Sequence, residues 1–497
     1  MMKILMIYPE YPATFWSFKY ALNFVSRKAS YPPLGLLTIS SLLPGSFQKK
    51  LVDMNVRKLK DRDLDWADYV FISAMNVQKE SARAVVERCK RKNKRIVGGG
   101  PLFTIQPEAF ADIDHLILDE GEITLPLFLS DLSRGTPERV YSSKERPDIR
   151  KTPVPDWSLI NFKDYATVLI QYSRGCPFKC EFCDVAILNG KTPRTKSAAQ
   201  VINELDSVYR LGYRGAVFFV DDNFIGNKRD VKEMLSHLVK WQEKRDYPFT
   251  FLTEASVNLA EDRHLLDLMS RANFNKVFLG LETPSKESLT ETGKMQNVAC
   301  DVEQAVKTIQ QHGMEVMGGF ILGFDSDTKP IVFNNLIQFI QNLGVVTAMV
   351  GLLNAIPQTP LYKRLAKEGR LLGDMSGSNT DATMNFRPRM DPEKLINGYK
   401  KVLAHIYSPQ EYYKRIDTFL NNYTPKARSR IRVREVKAFC KSIFRIGLFS
   451  RCSFHYWRLL IKTLFKKPRA FPVAVEMAII GHHFRKLAKE VNKGCSV

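Results

Sequence analysis

Three cysteines, Cys176, Cys180 and Cys183, stand within eight positions of one another in Ser173-Arg174-Gly175-Cys176-Pro177-Phe178-Lys179-Cys180-Glu181-Phe182-Cys183. Their C-x3-C-x2-C spacing lets three thiolates grip three corners of a cubane iron–sulfur cluster, whose potential a protein sets through net charge, hydrogen bonds and exposure. The motif holds no fourth cysteine, so one iron is left open to a small molecule and can deliver an electron to it. A structural zinc ion is the alternative, but such sites close with four ligands, often as paired C-x2-C units. Here the nearest other cysteines are Cys89 and Cys300, and no histidine occurs between His115 and His237.

The elements that must position this motif alternate between strand and helix. From Thr167 the sequence predicts strands at 167–172, 216–220, 249–253, 276–280, 315–322 and 348–353, with helices at 198–211, 228–244, 263–272, 301–312 and 331–343. Six βα-type units suit a partial (β/α)6 barrel, and such barrels build their sites at the carboxyl ends of the strands. Those ends carry the cysteine motif, Asp221-Asp222-Asn223, Glu254-Ala255-Ser256-Val257-Asn258, Leu281-Glu282-Thr283 and Gly323-Phe324-Asp325. Asp222 or Asn223 could instead cap the following helix, and Glu254 could pair with a lysine.

The first 125 residues also alternate, with apolar runs at 3–8, 51–53, 69–73, 95–97 and 116–118 and helical spacing at 34–43 and 80–90. This predicts an α/β architecture opening with a doubly wound parallel sheet, whose ligand sits at the strand carboxyl ends. Ser73-Ala74-Met75 and Gly98-Gly99-Gly100-Pro101 fall there, and Gly121-Glu122 follows the last strand. The expected organisation is a Rossmann-like domain over 1–135, a linker rich in Pro, Lys, Asp and Ser over 136–165, the partial barrel over 166–355, a helical extension over 356–425 and a basic amphipathic helical tail over 426–497.

The length fits two to three domains, and 44% hydrophobic with 25% charged residues makes the chain globular. Eight cysteines in 497 residues are too few for a disulfide framework and fit a reducing compartment. The apolar start is closed by Pro9 and Glu10 and makes a poor signal peptide, and no stretch approaches the length of a spanning helix. The expected location is the cytoplasm, or peripherally the inner face of the membrane. Of the net charge of +22, the tail from Lys426 carries +15, with eighteen Lys/Arg against Glu435, Glu476 and Glu490. Arg434, Lys437, Lys441 and Arg445 share one helical face, opposite Val436, Phe439, Cys440, Ile443 and Phe444, and 457–467 repeats the pattern. Such helices lie on an anionic membrane or pack on the body with their charge in water. A nucleic-acid partner would also use basic residues, but no recognition motif is present.

The cysteine motif, with aromatic Phe182 before its last cysteine, resembles the radical S-adenosylmethionine superfamily over roughly 167–353. That resemblance implies that Cys176, Cys180 and Cys183 hold a [4Fe-4S] cluster whose fourth iron is chelated by S-adenosylmethionine. One electron, from a low-potential donor of flavodoxin or ferredoxin type, then yields a 5′-deoxyadenosyl radical. It further implies that Asp221, Asp222 and Asn223 lie near the methionine amino group, that Glu254, Ser256 and Asn258 meet the ribose and carboxylate, and that Gly280 and Glu282 lie beside the adenine.

The Ser73 region, Gly98, Gly99 and Gly100, and Gly121-Glu122 resemble the cobalamin-binding domain that precedes many radical enzymes, with the glycines giving a bulky ligand close approach. A degenerate domain kept for packing is the alternative. The D-x-H-x-x-G motif that brings histidine to cobalt is missing, and no histidine precedes His115. Tyr31-Pro32-Pro33-Leu34-Gly35-Leu36-Leu37, 71–75, 219–227, 253–259, 385–390 and Tyr407-Ser408-Pro409 resemble the bacterial family that includes the hopanoid C-2 methylases. That family implies methylation of an unactivated carbon of a lipid-like or other small molecule, and some of its members have no known substrate. A cobalamin-dependent radical cyclase would share every cofactor motif. A methylthiotransferase acting on tRNA would carry three more cysteines upstream, where only Cys89 stands. A membrane- or nucleic-acid-binding protein with a remnant cluster is the non-enzymatic alternative.

Overall fold

The computed structural model describes residues 1–493 apart from 379, 429 and 430. Those three positions and 494–497, within the segments read above as extension and basic tail, lie outside the described residues. Two six-stranded parallel sheets organise the chain. The first comprises β1 (Lys3–Tyr8), β2 (Gln48–Asp53), β3 (Tyr69–Ser73), β4 (Arg95–Gly99), β5 (His115–Ile117) and β6 (Val140–Tyr141), in the order β2-β1-β3-β4-β5-β6. Parallel strands covered on both faces read as unbroken apolar runs, and β1 does so. Its Leu5 and Ile7 join one core with Val52, Val70 and Ile96, while Ile4 and Met6 join the other with Phe71, Leu125 and Phe128. The strand order reverses between β1 and β3, which makes the crevice at their carboxyl ends the ligand position of this fold.

The segment expected as a linker contributes β6 to this sheet and three short 3-10 turns beyond it. A helix that the sequence reading did not anticipate, Gly121–Arg134, follows β5 and carries Pro126 inside it.

A two-residue ribbon, β8 (Ser173–Arg174) with β9 (Arg194–Thr195), follows β7 (Thr167–Ile170). The second sheet adds β10 (Gly215–Phe219), β11 (Phe249–Ala255), β12 (Phe274–Glu282), β13 (Glu315–Leu322) and β14 (Ala348–Leu352), in the order β14-β13-β12-β11-β10-β7. It is an open half-barrel. Alternate residues such as Val217, Phe219, Phe251 and Val277 face the outer helices and form the main core. Four of the outer helices start at a side-chain cap: Ser197, Asn227, Asp262 and Asp301 accept from the backbone of the first turn, whereas Ile331–Leu343 starts at Pro330. Such caps contribute about 1 kcal/mol each. Asn227, rather than Asp222 or Asn223, is therefore the cap of Lys228–Lys244.

The C-terminal helices Pro392–Ile406, Pro409–Asn422, Val433–Ser442, Ser453–Lys466 and Phe471–Lys493 pack onto this body. The last lies within the 426–497 segment expected to be helical. Its Phe484 and His483 meet Phe15, Phe18 and Tyr20, so it clamps an N-terminal segment, 13–25, that joins the half-barrel core. Helix Val433–Ser442 differs from the expected amphipathic arrangement. Lys441 turns to the body and donates to Asn23 O (3.0 Å) and Ser26 Oγ (2.7 Å), while Val436 and Phe444 are exposed.

Candidate functional site

The cysteine loop leaves the ribbon through a residue that has to be glycine. Gly175 has φ +95°, and a Cβ there would lie 2.8 Å from Thr192 O and 3.0 Å from Gly190 O. Its N–H donates to Asp222 Oδ2 (2.7 Å), and Asn189 Nδ2 donates to both Asp222 oxygens (3.1 and 3.0 Å). Ser173 N donates to Asp221. The two aspartates thus hold both ends of the turn that delivers Cys176. Each of the three thiols has a neighbouring amide donor or cation. Asn223 Nδ2 lies 3.9 Å from Cys176 Sγ, Gln296 Nε2 lies 3.8 Å from Cys180 Sγ, and the buried Lys294 ammonium acts on Cys180 and Cys183.

This donor set fits a cluster. Burial raises the Cys176 thiol and pushes Cys183 up to about 12, so their thiolates call for a bound cation's charge. A cubane takes one thiolate at each of three corners.

The next strand ends gather polar groups. Asn223 and Ser256 are joined through Asn223 Nδ2 to Ser256 Oγ (3.1 Å) and Ser256 N to Asn223 Oδ1 (3.2 Å), and Ser256 Oγ donates to Asn258 Oδ1 (2.6 Å). Burial pushes Asp221 up to about 7. Burial also pushes Glu254 up to about 8, with repulsion from Asp222 and Asp221 adding to it. Neither a lysine nor any other described side chain hydrogen-bonds the Glu254 carboxyl, and Asp221 Oδ2, Ser173 Oγ, Gln296 Oε1 and Asn297 Oδ1 are buried without a partner. Unpaired buried polar atoms are expensive, so a polar ligand fits here. Glu282 differs: its oxygen accepts from Lys294 Nζ (2.6 Å), and its backbone adopts φ +62° where the β12–β13 register slips. At Gly280 a Cβ would sit 2.4 Å from Glu282 Oε1 and 2.7 Å from Lys294 Nζ, so the glycine makes room for that ion pair. Phe182 packs on Phe324 at 6.4 Å.

Aromatic side chains cover the concave face beside Glu254. Trp16 stacks on Phe218 (5.9 Å, 13°) and meets Phe278 (5.2 Å) and Tyr31 (6.4 Å). Tyr31 is close enough for Glu254 to raise its phenol, although burial is the larger cause. Trp16 and Tyr31 come from the N-terminal segment. No local signal in the sequence marks Trp16, and Tyr31 opens a stretch that carries the family resemblance but no role of its own.

At the first sheet's switch point, Tyr11 OH, Asn76 Oδ1 and Gln106 Nε2 are buried and unpaired, following β1, β3 and β4. A polar ligand that pairs these atoms fits the position. The glycines serve the protein's own packing first. A Cβ on Gly98 would meet Phe103 and Ile113 at 2.6–2.7 Å, one on Gly99 would approach Ile117 O at 3.0 Å, and one on Gly100, at φ +87°, would approach Ser73 Oγ at 2.6 Å. His115 opens β5 at the amino end of the sheet, against Phe128 and Tyr69. Glu122 is drawn away from the crevice into an ion-pair cluster that ties the two sheets. Glu120 accepts from Arg174 and Arg194 (both 2.7 Å) and Arg146 (3.3 Å), and Glu122 accepts from Arg174 (2.7 Å). Arg174 lies two residues before Cys176, so the cluster loop is anchored on the other sheet.

Residues 170–330 match the Radical SAM superfamily, residues 21–129 match a B12 binding domain, and residues 359–496 match a domain of unknown function, DUF4070. An uncharacterized methyltransferase of Synechocystis sp. is 41% identical over 490 residues, covering 97% of this chain and 91% of that protein. The hopanoid C-2 methylase of Rhodopseudomonas palustris is 32% identical over 506 positions, covering 99% of this chain and 94% of that protein. In fold the chain is similar to the radical S-adenosylmethionine methyltransferase TsrM of Kitasatospora setae, solved with cobalamin and a [4Fe-4S] cluster bound. There the TM-score is 0.64 at 16% identity, over 96% of this chain and 99% of that one.

Proposed function

The chain belongs to the cobalamin-dependent radical S-adenosylmethionine methyltransferases, and from that membership we propose that it methylates an unactivated carbon of an apolar, lipid-like molecule of the kind named for its hopanoid C-2 methylase relative. Its cofactors are a [4Fe-4S] cluster, S-adenosylmethionine and cobalamin. When bound, they supply a carbon-centred hydrogen abstractor and a transferable methyl group.

In this reading Cys176, Cys180 and Cys183 hold the cluster. Asp221 and Asp222 fix the backbone of the loop that presents it, through Ser173 N and Gly175 N. Asn223, Ser256 and Asn258, already linked to one another, orient the ribose and carboxylate of S-adenosylmethionine, and Glu254 accepts hydrogen bonds that no described side chain now gives it. Lys294 and Glu282 hold the strand end beside the adenine, with Gly280 leaving space for them. Ser73, Gly98, Gly99 and Gly100 shape the cobalamin crevice, where Tyr11, Asn76 and Gln106 have polar atoms to offer. Glu122 acts instead on the cluster loop, through Arg174. A low-potential electron donor of flavodoxin or ferredoxin type and peripheral contact of the basic C-terminal region with a membrane complete the reading.

The observation that carries the substrate class is the aromatic wall of Trp16, Tyr31, Phe218 and Phe278 next to Glu254. Apolar lining with a few placed polar groups is how a pocket takes a largely hydrocarbon ligand, and water excluded there cannot quench a radical. The test is anaerobic turnover of the reconstituted protein with cobalamin, reductant and candidate polycyclic lipids, read by mass. A product heavier by one CH2 is expected. Consumption of S-adenosylmethionine with an unaltered carbon count in the product would replace methylation with cyclisation or rearrangement.

A further inference from the structure

Ten of the eighteen large hydrophobic side chains that are exposed among the described residues fall between Ile431 and Phe465. They are not scattered. Helix Ser453–Lys466 buries Tyr456, Leu459, Leu460 and Thr463 against the body. On its opposite face Phe454, Arg458, Ile461 and Phe465 recur at intervals of four, three and four, one stripe of an α-helix. Phe454 is 71% exposed, Ile461 54% and Phe465 82%, with Leu464 alongside at 52%. The preceding turn also exposes Phe444, Leu448 and Phe449, the last 84% exposed. Trp457 pins turn to helix by donating to Gly447 O at 3.1 Å, and Gly447 admits the Tyr456 and Trp457 rings where a Cβ would meet them at 3.0–3.3 Å. The exposed stripe is therefore held on a fixed support.

Charge identifies the occupant. Residues 436–475 contain nine Lys/Arg and not one Asp or Glu. Lys462 is taken by Asp417 (2.9 Å) and Lys467 by backbone carbonyls at the end of the neighbouring helix, which leaves Arg451, Arg458, Lys466 and Arg469 exposed around the stripe. A second copy of the chain would bring nine more cations to the same contact. No helix among the described residues is long and apolar enough to cross a membrane, and the stripe lies along the helix, which suits a surface.

We propose that the turn 444–453 and helix Ser453–Lys466 form an insertion surface for an anionic phospholipid bilayer, with Phe449, Phe454, Ile461 and Phe465 entering the headgroup–acyl boundary and Arg451, Arg458, Lys466 and Arg469 meeting the anionic headgroups. This rests on the membrane contact proposed above. It names the surface and the lipid charge, and it places them on the face opposite the buried one rather than on the Arg434–Arg445 face expected from the sequence.

The experiment is co-sedimentation of the full-length, cluster-loaded protein with phosphatidylcholine vesicles, with and without phosphatidylglycerol. Binding is expected only with phosphatidylglycerol and should fall steeply with salt. The exposed triple variant F449S/F454S/F465S should bind about 100-fold more weakly, and R458E/K466E about ten-fold more weakly. Both should release 5′-deoxyadenosine at the unaltered basal rate without vesicles, which shows that they fold. Equal sedimentation of the triple variant and the parent overturns the proposal. So does a concentration-dependent dimer, formed without vesicles, that the triple variant abolishes. Binding to phosphatidylglycerol vesicles that also carry the candidate polycyclic lipids, without methylation of those lipids, leaves this surface standing and counts against the lipid-substrate reading alone.

Discussion

The two parallel sheets share an architecture and finish their strands in opposite chemistries. The half-barrel ends in ionisable groups held where they are costly: Asp221 at about 7, Glu254 at about 8, and a buried Lys294–Glu282 pair. At β3 and β4 the first sheet ends in Ser73 and three glycines, with neutral Tyr11, Asn76 and Gln106 atoms left unpaired beside them, and the buried Asp53 that closes β2 is already paired with Asn55 and Tyr165. One site is built from charge and the other from shape. Chemistry that moves an electron onto a charged donor needs fields fixed in advance, whereas holding a large preformed macrocycle needs room and a few polar contacts. Substitutions that remove charge should therefore damage the half-barrel site selectively, and those that fill space should damage the first sheet.

The largest effect is expected from Cys176→Ala. It should abolish cluster iron and 5′-deoxyadenosine release while cobalamin still binds, as read by iron content and by the visible spectrum of the corrinoid. Loss of both cofactors together would break the separation of the two sites.

Next comes Arg174→Gln. Truncating one partner of a buried ion pair costs about 3–5 kcal/mol because the other charges stay behind, here Glu120 and Glu122. Arg174 belongs to the cluster loop and its partners to the first sheet, so this change should lower the melting temperature and also hasten iron loss to a chelator. Lysine should restore little, since it cannot give the two-pronged contact. If only stability moves and iron retention does not, the cluster loop does not depend on the other sheet.

Gly100→Val tests the shape side. The position has φ +87° and a Cβ would lie 2.6 Å from Ser73 Oγ, which costs about 1–3 kcal/mol in strain. Cobalamin affinity should drop with cluster content unchanged. Retained cobalamin would mean that the crevice tolerates closure at this edge.

The same contrast governs how much could be read from the sequence. The half-barrel site was legible because its chemistry is local: each polar cluster directly follows its own strand, so the residues announce themselves where an apolar run stops. Contacts between distant segments left no such mark. Trp16 reaches Phe218, and Glu120 meets Arg174 across 54 positions, and neither pair has a period or a motif. The glycine run announced that space was needed without saying whose atoms fill it. At Gly98 they belong to Phe103 and Ile113. β6 is two residues long, too short for any periodicity. In the tail the spacing gave amphipathic helices but not which face the body would claim, and Lys441 turned inward while Phe444 turned out.

The smallest effect is the one that isolates field from fold. Burial and the neighbouring aspartates raise Glu254 from an ordinary 4.5 to about 8. A carboxyl whose folded value is raised holds its proton more tightly in the native state than in the unfolded one. Its contribution to stability is therefore complete below pH 4.5 and is lost as the pH climbs through about 8. Glu254→Gln removes the ionisation while keeping the shape. Without cofactors, its melting temperature should match the parent at pH 4.5 and exceed it by a few degrees at pH 8, while its affinity for S-adenosylmethionine falls. A difference that stays flat across this range would mean that Glu254 is not held against its charge, and the description of the half-barrel site as one built from fixed fields would lose its strongest support.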